Sequence, residues 1–414
     1  MVSFIFTNLL NKLARILYIT PFFNYPPRDG ASLRTVHLFE KLNEKHDVHL
    51  LTYYNEGLDN YKNQIYKKKK IHYFNSFFTV NKKMTFIQRF FSSSLPGFAS
   101  HNIKSISNDI EQVALKLGHF DIYYFATQLM GQVILNNRKI SGIYVIDLYD
   151  LYIKHREGKI LEAPFWRPFH WLFRLEALRV RKYEKKILQK FDHILVTSKE
   201  EIQIIDKLVP NSVVHEVPNG IDYPDKIQRK NIVGDILMVG NFYHGPNAEG
   251  ILWFYNEVWA KVKNGFPNSK LILVGEMPQA LKTVFLNDKD IDIAGLVSNL
   301  DFYYEKAGCV IIPIFNLSGI KLKLLEAIAY GIPIVSTTDG TIGIENINTI
   351  EVANSPINFA QAIIKFLKSN NLNEEEIEKG RNLIKKKYTW DKIGDGLNNI
   401  IDSLDENICD TASS

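Results

Sequence analysis

Short runs of β-branched and other apolar residues alternate with amphipathic helical patterns from residue 15 to about residue 370. Between the first two such runs, Leu33, Val36, Phe39 and Leu42 recur on one face of a predicted helix. In the first half of the chain the pattern predicts six strands: Arg15–Thr20, Val48–Tyr53, Asp121–Phe125, Tyr144–Leu148, His193–Thr197 and Val213–Val217. This alternation is typical of parallel sheets covered by helices, so the fold class is α/β.

A turn-rich, hydrophilic stretch at 220–234 interrupts the pattern and indicates a linker. Six further strands are predicted after it: Ile236–Val239, Lys270–Val274, Ile291–Ala294, Val310–Ile314, Pro333–Ser336 and Ile350–Ala353. Each half therefore reads as a Rossmann-like, doubly wound domain. Because ligands of such sheets bind beyond the carboxyl ends of the strands, a cleft between two facing domains is the expected site.

These patterns divide the chain into six segments. The predicted segments are an N-terminal extension (1–14), a first Rossmann-like domain (15–219), the linker (220–234), a second Rossmann-like domain (235–387), a C-terminal helix that crosses back to the first domain (388–404) and a disordered tail (405–414). The tail is polar, which favours disorder at a terminus.

Composition restricts the class of protein. The chain has 414 residues, of which 46% are apolar, enough for two cores. Its only cysteines, Cys309 and Cys409, form neither a disulfide framework nor a metal-ligand pattern, which fits a reducing cytoplasm. No apolar run approaches the roughly 20 residues that cross a bilayer. The apolar residues 1–11 lack the preceding basic residues of a secretory signal.

The formal net charge is +5, and it is distributed unevenly. Residues 60–108 contain nine Lys or Arg and no Asp or Glu, and residues 165–190 contain eight basic residues against two acidic ones. Aromatic residues are interleaved in both segments. One interpretation is a solvated helix face over a buried aromatic stripe. The other is an anionic membrane surface. Nucleic acid is disfavoured, because no nucleic-acid-binding motif accompanies the charge.

The segment 310–345 carries the strongest chemical pattern. An apolar strand is followed by a small-residue turn, Ser318–Gly319, and then by a helix with Lys321, Lys323 and Glu326 in its first turns. A helix N-terminus after a glycine turn offers free N–H groups to an anion. Two lysines at a helix N-terminus are unfavourable, because the helix dipole is positive there. Their presence is explained if their charge binds a diphosphate. The alternative is a solvated face on which Glu326 pairs with Lys323.

Residues 318–337, SGIKLKLLEAIAYGIPIVST, resemble the donor-binding motif of the family 4 (group 1) retaining glycosyltransferases. The resemblance also covers 240–259 and 271–278, and it extends over most of 15–395. It implies the GT-B fold, in which two Rossmann-like, doubly wound domains face each other across a cleft. The first domain is then expected to bind the acceptor and the second to bind the nucleotide-sugar donor.

The same resemblance implies roles for individual residues. By analogy, Lys323 contacts the donor diphosphate and assists the leaving group, Lys321 helps it, and Glu326 holds the ribose. Relatives with two glutamates have the first at the position of Ser318. Ser318 and the amides around Gly319 are therefore expected to replace that glutamate at the donor sugar.

A second expected donor contact is the loop after Gly240, NFYHGPNAEG. Many relatives place Arg and Lys there, whereas this chain offers Asn241 and His244, which we assign to donor binding. The plainer interpretation is a turn in which Asn247 caps the next helix.

Two places in the first domain complete the candidate site. Gly30 allows close approach of backbone to the donor, and Arg34 lies in the first turn of the next helix. Asp147 and Asp150 stand at the carboxyl end of an apolar strand, where they are candidate catalytic groups that orient or deprotonate the acceptor. A tight turn with a surface arginine is the alternative at Gly30 and Arg34.

The resemblance implies a metal-independent hexosyltransferase that needs no cofactor and moves a sugar from a nucleotide-sugar donor to a hydroxyl of a glycan or lipid-linked acceptor. The expected location is the cytoplasm, peripherally at a membrane. A catalytically silent nucleotide-sugar-binding scaffold is the alternative, and a nucleotide-sugar epimerase is a further one. No Gly-x-Gly-x-x-Gly motif follows the first strand of either domain, which disfavours a dehydrogenase.

Overall fold

A computed structural model of the chain describes residues 13–27, 29–54, 70–73, 103–135, 140–149, 151, 170–227, 234–316, 319–344, 347–368 and 373–412.

The first sheet is parallel and has seven described strands in the order β3-β2-β1-β4-β5-β6-β7. Its strands are β1 (Arg15–Phe22), β2 (Asp47–Tyr54), β3 (Lys70–Tyr73), β4 (Ile122–Ala126), β5 (Ile143–Asp147), β6 (His193–Val196) and β7 (Val213–Glu216). The six predicted strands are all confirmed. The edge strand β3 was not predicted, because it lies in the lysine-rich segment that was interpreted as a solvated surface.

The second sheet is also parallel, with six strands in the order β10-β9-β8-β11-β12-β13. Its strands are β8 (Ile236–Val239), β9 (Leu271–Val274), β10 (Ile291–Gly295), β11 (Cys309–Ile312), β12 (Ile334–Ser336) and β13 (Ile350–Val352). All six agree with the predicted strands to within two residues. In both sheets the strand order reverses at one point, between β1 and β4 and between β8 and β11. Both domains are therefore doubly wound, as predicted.

Alternating side chains of the second sheet enter two separate apolar clusters. Ile236, Met238 and Ile311 pack in one cluster, while Leu237 and Ile312 pack in the other. Because neighbouring side chains of a strand point to opposite faces, the sheet has a core on each side. This explains why its strands read as continuous apolar runs without polar alternation.

Helices lie between the strands and, for the last three, after β13. They are α1 (Gly30–Lys45), α2 (Ile103–Leu117), α3 (Gln128–Gly131), α4 (His170–Leu188), α5 (Lys199–Leu208), α6 (Gly245–Trp253), α7 (Ala260–Gly265), α8 (Gln279–Phe285), α9 (Asp301–Lys306), α10 (Leu322–Ala329), α11 (Pro356–Lys368), α12 (Glu374–Lys387) and α13 (Trp390–Ala412). A π-helical turn, Phe254–Trp259, joins α6 to α7.

The chain divides into two compact units. One contains the residues up to Val196, Ile202–Val217 and the residues from Gly394 on, and the other contains Thr197–Glu201 and Pro218–Ile393. The described part of the stretch interpreted as a linker groups with the second unit. There Ile221 pairs with Thr389, and the absence of a side chain at Gly220 admits the Trp390 ring.

Helix α13 begins in the second unit and continues in the first. Within the first unit, Lys45 forms an ion pair with Asp402, and the Asn398 side chain donates to the carbonyl of Lys41 at 3.2 Å. The helix runs to Ala412, past Asp405, where the sequence predicted a disordered tail. The disordered tail (405–414) therefore stays a prediction beside this helical assignment.

Candidate functional site

The lysine-bearing helix meets the end of β8 at the point where the second sheet reverses its strand order. Lys323 lies in the first turn of α10, and its Nζ donates to Oδ1 of Asn247, in the first turn of α6, at 2.8 Å. Gly240, directly after β8, faces this contact. A Cβ at Gly240 would lie 2.8 Å from the Lys323 Nζ, so a side chain there would displace the ammonium from this position.

The ammonium of Lys323 is held in a partly buried position. Burial lowers its pKa from the ordinary value of 10.5 to about 7, Glu326 acts to raise it, and the charge of Lys321 acts to lower it. The protein thus contains, near pH 7, a lysine whose charged form lacks a sufficient counter-charge. A bound anion would supply that counter-charge and restore the proton.

Glu326 lies one turn further along α10, and Tyr304 of α9 donates a hydrogen bond to its Oε2 at 2.6 Å. Tyr304 is buried and stacks on Tyr330 with ring centroids 4.9 Å apart and an interplanar angle of 14°. The hydroxyl of Tyr330 donates in turn to Asp301. Burial raises the pKa of the Glu326 carboxyl, while the Tyr304 hydrogen bond and the charge of Lys323 lower it. One carboxylate oxygen is thus occupied and oriented by a rigid aromatic pair.

The turn before α10 is shaped by local contacts. Gly319 has a φ of +74°, a left-handed conformation that favours glycine. Lys321 is the N-cap residue of α10, and its Nζ donates to the carbonyl of Gly319 at 2.7 Å. Asn219 donates to the carbonyl of Ile320 at 3.0 Å. The side chain of the N-cap residue Lys321 makes no capping hydrogen bond, so the first N–H groups of α10 are suited to an anion.

Asn241 and His244 lie in the loop between β8 and α6. The carbonyl of Asn241 accepts from Nδ2 of Asn247 at 2.8 Å, and its Oδ1 accepts from the N–H of Tyr243 at 2.9 Å. His244 is the N-cap residue of α6 and makes no side-chain capping bond. The interpretation of Asn247 as the cap is therefore wrong: Asn247 lies three residues inside the helix, with its side chain turned toward Lys323.

Arg34 and Asp147 of the first unit face each other inside the core. The Arg34 guanidinium forms a bidentate ion pair with Asp147, with Nη2–Oδ1 at 2.6 Å and Nε–Oδ2 at 3.0 Å. Nη2 also donates to the carbonyl of Val217 at 2.8 Å. The two side chains are 0% and 1% exposed. The predicted donor contact of Arg34 and the predicted catalytic role of Asp147 stay predictions; in this structure the two groups are paired with each other inside the core.

Gly30 is the first residue of α1 and is exposed. The preceding residue, Asp29, caps the helix: its carboxylate accepts from the Ser32 N–H at 2.8 Å, and its own N–H donates to the Ser32 hydroxyl. The first turn of α1 thus already holds a carboxylate. Two other predicted site residues, Asp150 and Ser318, and most of the basic segment 60–108, lie outside the described residues.

Sequence reasoning missed two residues of the site. Asn247 was considered only as a helix cap. An asparagine in the first turn of a helix can also accept a hydrogen bond from a lysine that is distant in sequence. Tyr304 carried no signal, because its pattern in α9 is that of an ordinary core aromatic. Within the described ranges, no group of three or more His, Cys, Asp or Glu is placed to hold a metal ion. None of the helices of that same part of the chain is long and apolar enough to cross a membrane.

Comparison with known proteins adds to this geometry. Residues 234–369 match the family model described as "Glycosyl transferases group 1", which confirms the predicted family resemblance. An uncharacterized 44.6 kDa protein in the cps region of Klebsiella pneumoniae is 23% identical over 374 residues, which is 86% of this chain and 92% of that protein.

Solved structures share the fold, among them the following two. WaaG, a glycosyltransferase involved in lipopolysaccharide biosynthesis, superimposes with a TM-score of 0.64 at 15% identity, over 93% of this chain and 99% of that one. Anabaena Alr3699/HepE, in complex with UDP and glucose, gives a TM-score of 0.62 at 11% identity, over 94% and 100% of the two chains. The predicted GT-B fold class is confirmed by this likeness.

Proposed function

We propose that this chain, whose second domain matches the group 1 glycosyl transferases, is a retaining glycosyltransferase that moves a hexose from a nucleotide-sugar donor to a hydroxyl acceptor. One observation carries the proposal. Lys323, at the N-terminus of α10, is partly buried and hydrogen-bonded to Asn247 of α6, and Glu326 lies one turn further along α10.

The site has the chemistry that such a donor needs. The diphosphate would lie against the first N–H groups of α10 and the Lys323 ammonium, and the ribose hydroxyls would donate to Glu326. As the sugar–phosphate bond breaks, negative charge grows on the diphosphate. Fixed donors that meet this charge lower the barrier by electrostatic stabilisation of the leaving group. We further propose that Lys323, with help from Lys321, fills this role without a metal ion.

The relatives support a setting in glycan assembly. One is named for a cps region, another for lipopolysaccharide biosynthesis, and a third was solved with UDP and glucose. We therefore propose a UDP-sugar as the donor, a glycan or lipid-linked saccharide as the acceptor, and the cytoplasmic side of a membrane as the place of action.

Calorimetric titration with UDP-, GDP- and CMP-sugars tests the function directly. We expect one nucleotide class to bind and to support transfer that EDTA does not slow. The anomeric configuration of the product, read by NMR, should equal that of the donor. Binding without transfer to any saccharide acceptor would favour the scaffold alternative, and inversion at the anomeric carbon would exclude the retaining mechanism.

Donor affinity should depend on pH through Lys323. Below pH 7 the free lysine already carries its proton, so affinity should be constant there. Above pH 7 the free protein loses the proton while the complex retains it, so affinity should fall by up to about tenfold per pH unit. Calorimetry of UDP-glucose at pH 8 in two buffers of different ionisation enthalpy should show proton uptake on binding.

The matched control for this pH dependence is Lys323→Arg. Because a guanidinium stays charged throughout this range, the variant should bind UDP-glucose with an affinity that is flat from pH 7 to pH 9. A flat profile for the wild type would show that Lys323 is not the titrating group.

Helix α4 offers a surface for an anionic membrane. Lys182, Lys185 and Lys186 are exposed along it, and Leu178 is 63% exposed on the same helix. Each lysine near an anionic surface contributes about 1 kcal/mol, so changing all three to Ser should weaken binding to phosphatidylglycerol vesicles by roughly 100-fold. Vesicle flotation at low salt measures this.

A matched control comes from the end of α12, where Lys385, Lys386 and Lys387 are also exposed. Changing these three to Ser removes the same charge and should leave flotation unchanged. Equal losses in both triple variants would indicate a response to net charge alone, and no flotation of the wild type would remove the membrane proposal.

A further inference from the structure

Asn247 is nearly buried, with 9% of its surface exposed, and both polar atoms of its side chain are engaged. Oδ1 accepts from Lys323 Nζ at 2.8 Å, and Nδ2 donates to the Asn241 carbonyl at 2.8 Å. Rotating the amide by half a turn would set its NH₂ against the ammonium and its oxygen against the carbonyl. Only one orientation satisfies both partners, so the amide is locked.

The helix that carries Asn247 is also fixed in place. A Cβ at Gly250, one turn further along α6, would lie 2.0 Å from the carbonyl oxygen of Pro313, directly after β11. The backbone of α6 thus presses against the end of the strand that leads into α10. Asn247 and Lys323 come from two elements whose separation this close approach sets.

An amide is well suited to hold this lysine for an anionic ligand. A lysine ammonium has three N–H donors, and Asn247 takes one of them, which leaves two for phosphate oxygens. A carboxylate at this position would also orient the ammonium, but it would neutralise the charge and compete with the ligand. A neutral acceptor orients Lys323 without cancelling its charge.

We propose that Asn247 is a positioning residue that aims the Lys323 ammonium at the donor diphosphate, a role that rests on the proposed function. The long lysine stem would otherwise sample several rotamers, and ordering it on binding costs free energy. With Asn247 in place, that ordering is complete before the donor arrives.

Two variants of Asn247 test this role, because they are expected to shift the pH dependence of donor affinity in opposite directions. Asn247→Ala should lower kcat/KM by about 10- to 100-fold, since the ammonium is no longer aimed. It also removes a hydrogen bond to the charged form of Lys323, so the pH above which donor affinity falls should move down. Asn247→Asp adds a negative charge, so that pH should move up, while affinity at pH 6.5 should still be weaker than in the wild type.

The pH midpoint is the pH above which donor affinity falls. Opposite shifts of this midpoint in the two variants distinguish the positioning role from simple loss of structure, which would shift the midpoint in the same direction in both. NMR of ¹³Cε-labelled lysine in the donor-free protein should show the same two shifts for Lys323. Asn398→Ala is the structural control, because Asn398 is equally buried and also donates to a backbone carbonyl, but in the first unit. It should retain wild-type kinetics and pH dependence.

The outcomes are distinguishable from those of the proposed function. If the wild type binds a nucleotide-sugar and Asn247→Ala matches it in affinity, kcat/KM and pH midpoint, the role of Asn247 is overturned and the function stands. If the wild type binds no nucleotide-sugar, the proposed function fails and this role fails with it.

Discussion

Lys323→Ala is expected to lower kcat/KM for sugar transfer by about 100- to 1,000-fold, the loss typical when one fixed donor to a developing anion is removed. The reason is geometric: the Lys323 Nζ is held at 2.8 Å from Asn247 beside the uncapped N-terminus of α10, where the diphosphate is proposed to leave. Steady-state kinetics with saturating acceptor, together with calorimetry of UDP-glucose, measure the loss of turnover and of binding separately.

Lys321→Ala is the comparison that makes this result specific. It removes an equal charge two residues away, but the Lys321 Nζ is bonded to the Gly319 carbonyl. We expect a smaller loss than for Lys323→Ala. Equal losses in the two variants would indicate that only the local positive charge matters, and wild-type kinetics for Lys323→Ala would exclude it from the site.

Asp147→Asn is expected to destabilise the first unit by about 3–5 kcal/mol, because it leaves the buried charge of Arg34 without a counter-charge. The substitution preserves the shape of the side chain, so the loss reports the charge and not a cavity. Hydrogen exchange of the backbone amides of β5, which ends at Asp147, and of its neighbour β6 measures the change within this unit.

The double variant Arg34→Met, Asp147→Asn should recover much of that stability, since no uncompensated charge remains. This outcome separates a structural pair from a catalytic one. If Asp147 instead took part in catalysis, Asp147→Asn would keep wild-type hydrogen exchange and lose turnover.

The strands of both sheets could be predicted from the sequence because each is a short apolar run bounded by turn residues. Such a run predicts a buried strand whatever its neighbours in the tertiary structure are. The edge strand β3 was missed because it is not such a run: it begins at Lys70, the last of four consecutive lysines, and pairs along its length with β2.

The residues of the candidate site divide in the same way. The segment from Ser318 to Glu326 could be found, since a helix N-terminus, its glycine turn and its lysines are contiguous in sequence. Asn247 is 76 residues from Lys323, and Tyr304 is 22 residues from Glu326. Nothing in their local patterns distinguishes a cap or a core aromatic from a group that holds a functional side chain.

The sequence by itself determined the two doubly wound sheets and the lysine-rich helix that follows β11, because hydrophobic periodicity and contiguous motifs are local properties. Only the tertiary structure decided which partner each charged side chain pairs with and how deeply it is buried. Asp147 and Arg34, 113 positions apart, looked like ligand-facing groups and instead satisfy each other within the core. Lys323 was predicted to contact a diphosphate, with a solvated helix face as the alternative; it is partly buried, and burial lowers its pKa to about 7. Burial and pairing depend on long-range packing, and that packing sets whether a charged side chain stabilises the fold or remains available to a ligand.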